Sequence, residues 1–391
     1  MRTVLRGALA LLILAACGDS SSTPDNPGGG STSSTGGEPA PVPGSEIGKG
    51  DGSPSSVTLT EIHTLSKTSV GDPEPVDLAF NPADPGELWV VGYGDSSTHV
   101  GFIDGDVAWK RYRDPAASHF MGSPVAISMG ADTGFWGVCG NSDNGQNEGG
   151  DMTGTDGTGN LFMGPAIFGV DRAIFATQNQ ETRLGSHYDM LHQTPFCRGI
   201  AWETKNIYWA FNAYDNTIDK YNFNKPHEPG GDDHSDGEIY KYVEGQVKGA
   251  EDKVTPSHLV FDPSDNYLYI ADTGNARIVR LDTTKGTNSG PLPRRNEPLK
   301  ASGMMTGVDL EEVVPAGKIE KPSGIEIKND LIYVTDAATS TFYVFKKDGT
   351  EVRKLTTGLP EGSLSGFTFG ADGKIWFTDR KAGRVVRIDP N

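Results

Sequence analysis

The chain has too little positive charge to hold a phosphate backbone: its 391 residues carry 34 Lys and Arg against 52 Asp and Glu, a formal net charge of −18. That field repels polyanions and no basic stripe interrupts it, so nucleic acid is excluded as a partner class. Long apolar runs are missing too; the longest, near the N-terminus, is far short of the roughly 20 residues that a membrane-spanning helix needs. Sustained helical periodicity is absent, which excludes a bundle or a doubly wound fold. No Gly-x-Ser-x-Gly elbow, phosphate-cradling Gly-rich loop or dinucleotide fingerprint occurs in its required setting. Kinases, NTPases, nicotinamide enzymes and the serine hydrolases of the elbow type are thereby set aside. Cysteine is scarce, with three in the whole chain.

What is present starts with an address. Arg2 and Arg6 precede a short apolar run from Ala8 to Leu14, which ends in Leu14-Ala15-Ala16-Cys17. A basic start, an apolar segment and small residues before a cut site make a secretory signal. The Leu-Ala-Ala-Cys ending resembles the bacterial lipobox, which implies that residues 1–16 are removed and that Cys17 is acylated. Gly18 rather than Asp after that cysteine implies, by enteric-type sorting, an outer-membrane lipoprotein facing the periplasm or the cell surface. Residues 17–56 are dominated by Gly, Ser, Thr and Pro and are expected to form a flexible tether, since they have too little apolar surface to offset the entropy of ordering. Contact with membrane is then expected through the lipid alone. Cys139 and Cys197 remain as an even pair in an oxidising compartment, and a disulfide between them is expected, with two buried thiols as the alternative.

From residue 57 to 391 a three-beat pattern recurs. Pro256-Ser257-His258-Leu259-Val260-Phe261 leads to Tyr267-Leu268-Tyr269-Ile270-Ala271-Asp272 and then Arg277-Ile278-Val279-Arg280-Leu281-Asp282. The beats return from Pro322, Leu331 and Thr341, and again from Ser365, Lys374 and Arg384, with weaker copies from Pro75, Pro124 and Arg198. Each run is β-branched or aromatic and bounded by Gly, Asp, Asn or Pro, as strands between tight turns are. Six small sheets built this way predict an all-β, six-bladed propeller, in which radial repetition protects the sheet edges. The chain stops one strand short in the last copy, and Val57-Thr58-Leu59-Thr60-Glu61-Ile62 is expected to supply the missing outer strand and close the ring.

The run Asp272-Thr273-Gly274-Asn275 after Tyr269 resembles the NHL repeat. The resemblance is closest over 256–282, extends to 322–345 and 364–389, and thins over the first three copies. It implies that the loops leading into the innermost strands, and those after the second strands, share one face around a central channel, the usual ligand face of such propellers. On that placement His119, Arg198, His187 and His258 are the candidate ligand-binding residues. His187, Asp189, His192 and His258 form a candidate metal set, of the kind that holds Zn²⁺. Peptide-amidating lyases are six-bladed relatives with a channel zinc held by three histidines that directly follow proline; here Ser257 intervenes before His258, and other copies carry Val76, Val125, Gly324 or Gly366. The alternative for these histidines is loop capping. A second cluster, Asp232, Asp233, His234 and Asp236, is expected on the opposite face, as a Ca²⁺ site or a solvated turn. The insertion at 141–160, with Asp143, Glu148, Asp151 and Asp156, reads as a lid, a calcium loop or plain surface.

Two functions follow as expectations. One is a lipid-anchored binding module for a small molecule, a peptide or an envelope protein; the other is a metal-dependent hydrolase or lyase. For the anchor, palmitate labelling in the cells that make the protein is expected to mark the wild-type chain and to vanish in Cys17→Ser; label that persists in the variant would refute acylation there.

Overall fold

The computed structural model describes residues 42–103, 108–142, 162–252, 254–293 and 297–391. The signal sequence, Cys17, the tether up to residue 41 and the acidic residues of the 141–160 insertion lie outside them. Among the described residues the one α-helix is Ala117–Phe120, and no helix is long and apolar enough to cross a membrane.

The described strands build six sheets, each with an antiparallel core of blade strands, as the repeat predicts. Their innermost strands are Pro75–Asn81, Pro124–Met129, Cys197–Thr204, Leu259–Asp262, Pro322–Lys328 and Leu364–Phe369, and each packs on the next in a closed cycle. We number blades 1 to 6 in that order and call the face from which these strands start the upper face. The expected closure is present. Val57–Thr64 pairs antiparallel with Arg384–Pro390 as the outer strand of blade 6, and Thr60 Oγ1 donates to Asp389 at 2.6 Å.

The second strands carry the core. Trp89, Trp209, Tyr269, Tyr333 and Trp376 stand at matching points three residues before the ends of Asp84–Gly92, Ile207–Asn212, Tyr267–Asp272, Leu331–Asp336 and Ile375–Asp379, and all are buried. Large aromatics there fill the wedge between adjacent sheets, where burial contributes most per residue. The repeat aspartates that follow are structural. Asp272 accepts from Lys248 N and Arg277 Nε, both at 2.8 Å, and Asp379 accepts from Arg384 Nε at 3.0 Å, so each carboxylate ties the turn between second and third strands.

The fold begins earlier than the composition suggests. Residues 42–56, expected as the end of the tether, are built onto blade 5. Ile47 is fully buried, and Asp51–Gly52 pairs parallel with Lys354 and Leu355. Glu46 accepts from Tyr333 OH at 2.7 Å and pairs with Lys328 at 2.9 Å, while Arg353 donates to Pro43 O and Gly48 O at 2.7 and 2.8 Å. One buried apolar side chain and one salt-bridged carboxylate are enough to order a stretch that is otherwise Gly, Ser and Pro. Blade 3 is widened too: Ala301–Thr306 adds parallel to Glu238–Tyr242, with Thr287–Gly290 beyond it.

Cys139 and Cys197 form the expected disulfide, with Cα atoms 5.4 Å apart. It joins the end of the second strand of blade 2 to the start of the innermost strand of blade 3. The cross-link closes a 58-residue separation, which on the chain-entropy account contributes about 4 kcal/mol. Urea unfolding of the Cys139→Ser/Cys197→Ser variant is expected to show a loss of that order; a loss below about 1 kcal/mol would mean the unfolded chain gains little freedom.

Candidate functional site

The upper end of the propeller axis is packed shut. A Cβ on Gly199 would stand 2.0 Å from Ser257 O, one on Gly324 2.5 Å from Ser365 O, and one on Gly366 1.9 Å from Asp77 Oδ1. Only hydrogen at these positions lets the innermost strands come so close. Bonds between blades then stitch the ring: Ser257 N donates to Arg198 O at 2.9 Å, His258 N to Ser323 O at 3.1 Å, and Thr335 Oγ1 to Ser365 O at 2.8 Å. Thr378 Oγ1 reaches Val76 O at 3.2 Å and so joins blade 6 to blade 1.

Below this closure the strands diverge around an axial cavity of about 330 Å³, lined by residues from all six blades. Asp77 and His258 lie near its closed end, and Glu326, further along its strand, lines the wall below them. Its walls are Ile127, Met129, Ile200, Val260 and Ile325, and Phe80, Trp202, Phe261 and Phe369 stand half-buried towards the lower face. Asp77 Oδ2 accepts from Ile127 N at 2.9 Å and lies 3.8 Å from His258 Nε2, which donates across the axis to Val125 O at 3.1 Å. Burial pushes the Asp77 carboxyl above the ordinary carboxylate range, against the pull of His258. Enclosure in the same wall, and then repulsion from Asp77, push Glu326 up to about 8. The cavity thus offers a protonated carboxyl that donates and a second carboxyl that accepts, between aromatic walls.

The residues singled out in the sequence are not gathered at one mouth. His258 is in the axial cavity. Arg198 is at the upper face, 2% exposed, with Nε and Nη1 unpartnered and its pKa pushed down to about 10 by burial, against a hollow lined by Phe196, Ala213 and Gly249. His187 and Asp189 are not in a loop over the channel: His187–Met190 is the outer strand of blade 2, paired with Ala166–Gly169, and this carries both to the perimeter. The set His187, Asp189, His192 and His258 is therefore not brought together around one ion.

The perimeter instead joins part of that set to the second cluster. The loop 223–237 of blade 3 lies against the outer strand of blade 2, with His227 N donating to Tyr188 O at 3.0 Å and Gly230 N to His187 O at 2.7 Å. His234 Nδ1 donates to Asp189 Oδ1 at 3.0 Å, and the rings of His187 and His227 stand 5.1 Å apart. His192 Nδ1 lies 3.0 Å from Glu297 Oε2 and its ring 5.8 Å from that of His234; Phe162 packs between His192 and His119, at 4.7 and 4.8 Å. Burial pushes His187 down to about 3 and His119 down to about 4, so both rings are neutral. Asp232 and Asp233 point outward, Asp233 capping Ser235 N at 3.0 Å, and Asp236 accepts from Lys225 N at 3.1 Å. Of the two readings of 232–236, a Ca²⁺ site or a solvated turn, the arrangement is that of an exposed turn in which Asp233 and Asp236 accept from backbone N–H groups and His234 is directed inward.

Sequence reasoning missed Asp77, Glu326 and Glu297 as site residues, whereas His227 belongs to the 227–237 run that it singled out as a second cluster. Asp77 and Glu326 both carried a usable signal: Glu326 is a carboxylate where matching copies place Ala79, Ala201 and Val260, and Asp77 is one where matching copies place Gly324 and Gly366. Glu297 carried none, because its partner His192 is 105 positions away.

No protein-family model and no curated protein matches the chain. Its fold is similar to that of a streptogramin B lyase, with a TM-score of 0.50 and 17% identity over 86% of this chain and 98% of that one. It is also similar to an auxiliary nutrient binding protein from Bacteroides ovatus (TM-score 0.55, 13% identity, 86% and 77% covered). A further auxiliary nutrient binding protein, from Bacteroides thetaiotaomicron, superposes with a TM-score of 0.50 at 11% identity over 84% and 75%. At these identities the likeness establishes the six-bladed propeller and nothing finer.

The elevated Glu326 sets the sign of one pH dependence. The native state keeps a proton that the unfolded chain loses near 4.5, so stability falls as pH rises from there towards about 8. The difference in unfolding free energy between wild type and Glu326→Gln is expected to change by up to about 1.4 kcal/mol per pH unit across that window, in favour of the variant at the alkaline end. Urea titrations at several pH values measure it, and a difference that stays flat would mean Glu326 is ionised in the fold.

Proposed function

We propose that this protein is a lipid-anchored component of the bacterial envelope that binds a small organic molecule in the axial cavity, admitted from the lower face. One observation carries the reading: the axis is closed above by glycine-mediated packing, and the space left below is lined by two carboxyls and an imidazole. A volume of about 330 Å³ suits a ligand the size of an amino acid or a monosaccharide. The carboxyls of Asp77 and Glu326 and the imidazole of His258 favour a ligand with an amine or hydroxyl group, whose body lies along the aromatic walls. The lipobox-like signal supports an envelope location. The printed names of two propellers of similar fold, auxiliary nutrient binding proteins, are in keeping with a role in ligand capture. The metal-dependent hydrolase or lyase needed His187, His192 and His258 around one ion, so it has no site of that form.

Calorimetry and thermal unfolding against a panel of small amines, amino acids and monosaccharides test the proposal. A ligand present at a hundred times its dissociation constant is expected to stabilise the wild-type fold by about 2.7 kcal/mol. The gain should disappear in Asp77→Asn/Glu326→Gln and weaken at least tenfold in Trp202→Ala. Binding that survives both variants would remove the axial cavity as the site.

A further inference from the structure

We propose that Asp189, His227 and His234 hold a divalent transition-metal ion of the zinc class, clasping the outer strand of blade 2 to the 223–237 loop of blade 3. This site stands apart from the axial cavity and does not depend on what that cavity binds.

Three observations meet there. First, the donor atoms of Asp189, His227 and His234 all lie within 4.8 Å of one another. Around a tetrahedral zinc with bonds of about 2.0–2.1 Å the donors stand roughly 3.3 Å apart, so modest side-chain rotation closes the set. Second, donor atoms are buried without partners: Asp189 Oδ2, His227 Nε2 and, beside them, His187 Nε2. Asp189 and His187 are wholly buried. Leaving such atoms unpaired is costly, and a cation satisfies them together. Third, the ring orientations are already set. His227 Nδ1 donates to Glu228 O at 2.7 Å and His187 Nδ1 to Leu184 O at 2.9 Å, which leaves the lone pair of each on Nε2. A histidine held through one nitrogen by a carbonyl presents the other to a metal in the required tautomer.

The donor chemistry selects the ion. Imidazole nitrogens with one carboxylate oxygen suit zinc and its neighbours, whereas calcium takes six or more oxygens. The backbone holds the ligands before metal arrives, because His227 N and Gly230 N already bond to the blade 2 strand that carries Asp189. The ring of His187 stands 5.1 Å from that of His227, next to the three residues whose donor atoms cluster.

The test uses the full chain free of any histidine tag, stripped with chelator and then dialysed. Zinc titration followed by calorimetry is expected to show one ion per chain and a rise in melting temperature. His227→Gln and His234→Gln should each weaken zinc binding at least 100-fold. His63→Ala, which changes a histidine stacked on Trp109 outside the cluster, should bind as wild type does. Wild type that takes up no zinc, or a His227→Gln/His234→Gln double variant that binds it unchanged, would overturn the proposal. Should the variants fail to fold, carbethoxylation of the wild-type chain decides: zinc is expected to protect His227 and His234 while His63 still reacts, and equal modification with and without zinc would overturn it.

Discussion

Six innermost strands converge on one axis, and at their upper ends there is room for backbone and almost nothing else. Gly199, Gly324 and Gly366 occupy the points where any side chain would strike the next blade, and the bonds from Ser257, His258, Thr335 and Thr378 draw the strands into contact. The rest of the molecule follows from that closeness. Because the upper end is shut, the space created by strand twist collects below it. The carboxyl of Asp77 is set at its ceiling by the missing Cβ of Gly366. The strand pairing that joins Val57–Thr64 to the last strand keeps the ring from opening and so holds this crowding in place.

Away from the axis the blades are not equivalent. In blades 4 and 6 the buried aspartates at the ends of the second strands are fully engaged by local donors, Asp272 by Lys248 N and Arg277, Asp379 by Ala382 N and Arg384. The border between blades 2 and 3 breaks this economy. A disulfide fixes its upper edge, a short outer strand places His187 and Asp189 inside the protein, and a loop from the next blade closes over them. Asp189 Oδ2, His227 Nε2 and His187 Nε2 are left there without partners, three buried atoms with lone pairs in one place.

Axial cavity and perimeter cluster differ in what burial does to their charges. In the cavity, burial first and the nearby Asp77 carboxyl second keep a proton on Glu326. At the perimeter Asp189 Oδ1 accepts from His234 Nδ1, while Asp189 Oδ2 and His227 Nε2 are buried without partners. One arrangement offers hydrogen bonds to a neutral or cationic molecule, the other offers lone pairs to a cation.

Much of this was legible in the residues. The three-beat runs from Pro256, Pro322 and Ser365 declare strand length, turn position and copy number, because side-chain alternation and turn chemistry are local properties. The closing strand at Val57 and the Cys139–Cys197 pairing followed from counting strands and placing both cysteines at upper strand ends of adjacent copies. Docking of residues 42–56 was hidden, since Ile47 and Glu46 are single residues in a tether-like composition and their partners Lys328 and Tyr333 come some 280 positions later. The grouping of the site residues was hidden for a related reason. A repeat says which face a strand end belongs to, but not whether a fourth strand forms, and the short pairing of His187–Met190 with Ala166–Gly169 moved two histidine-cluster residues from axis to rim. Local sequence therefore determined the architecture by itself, whereas contacts between segments far apart in the chain decided where its polar side chains meet.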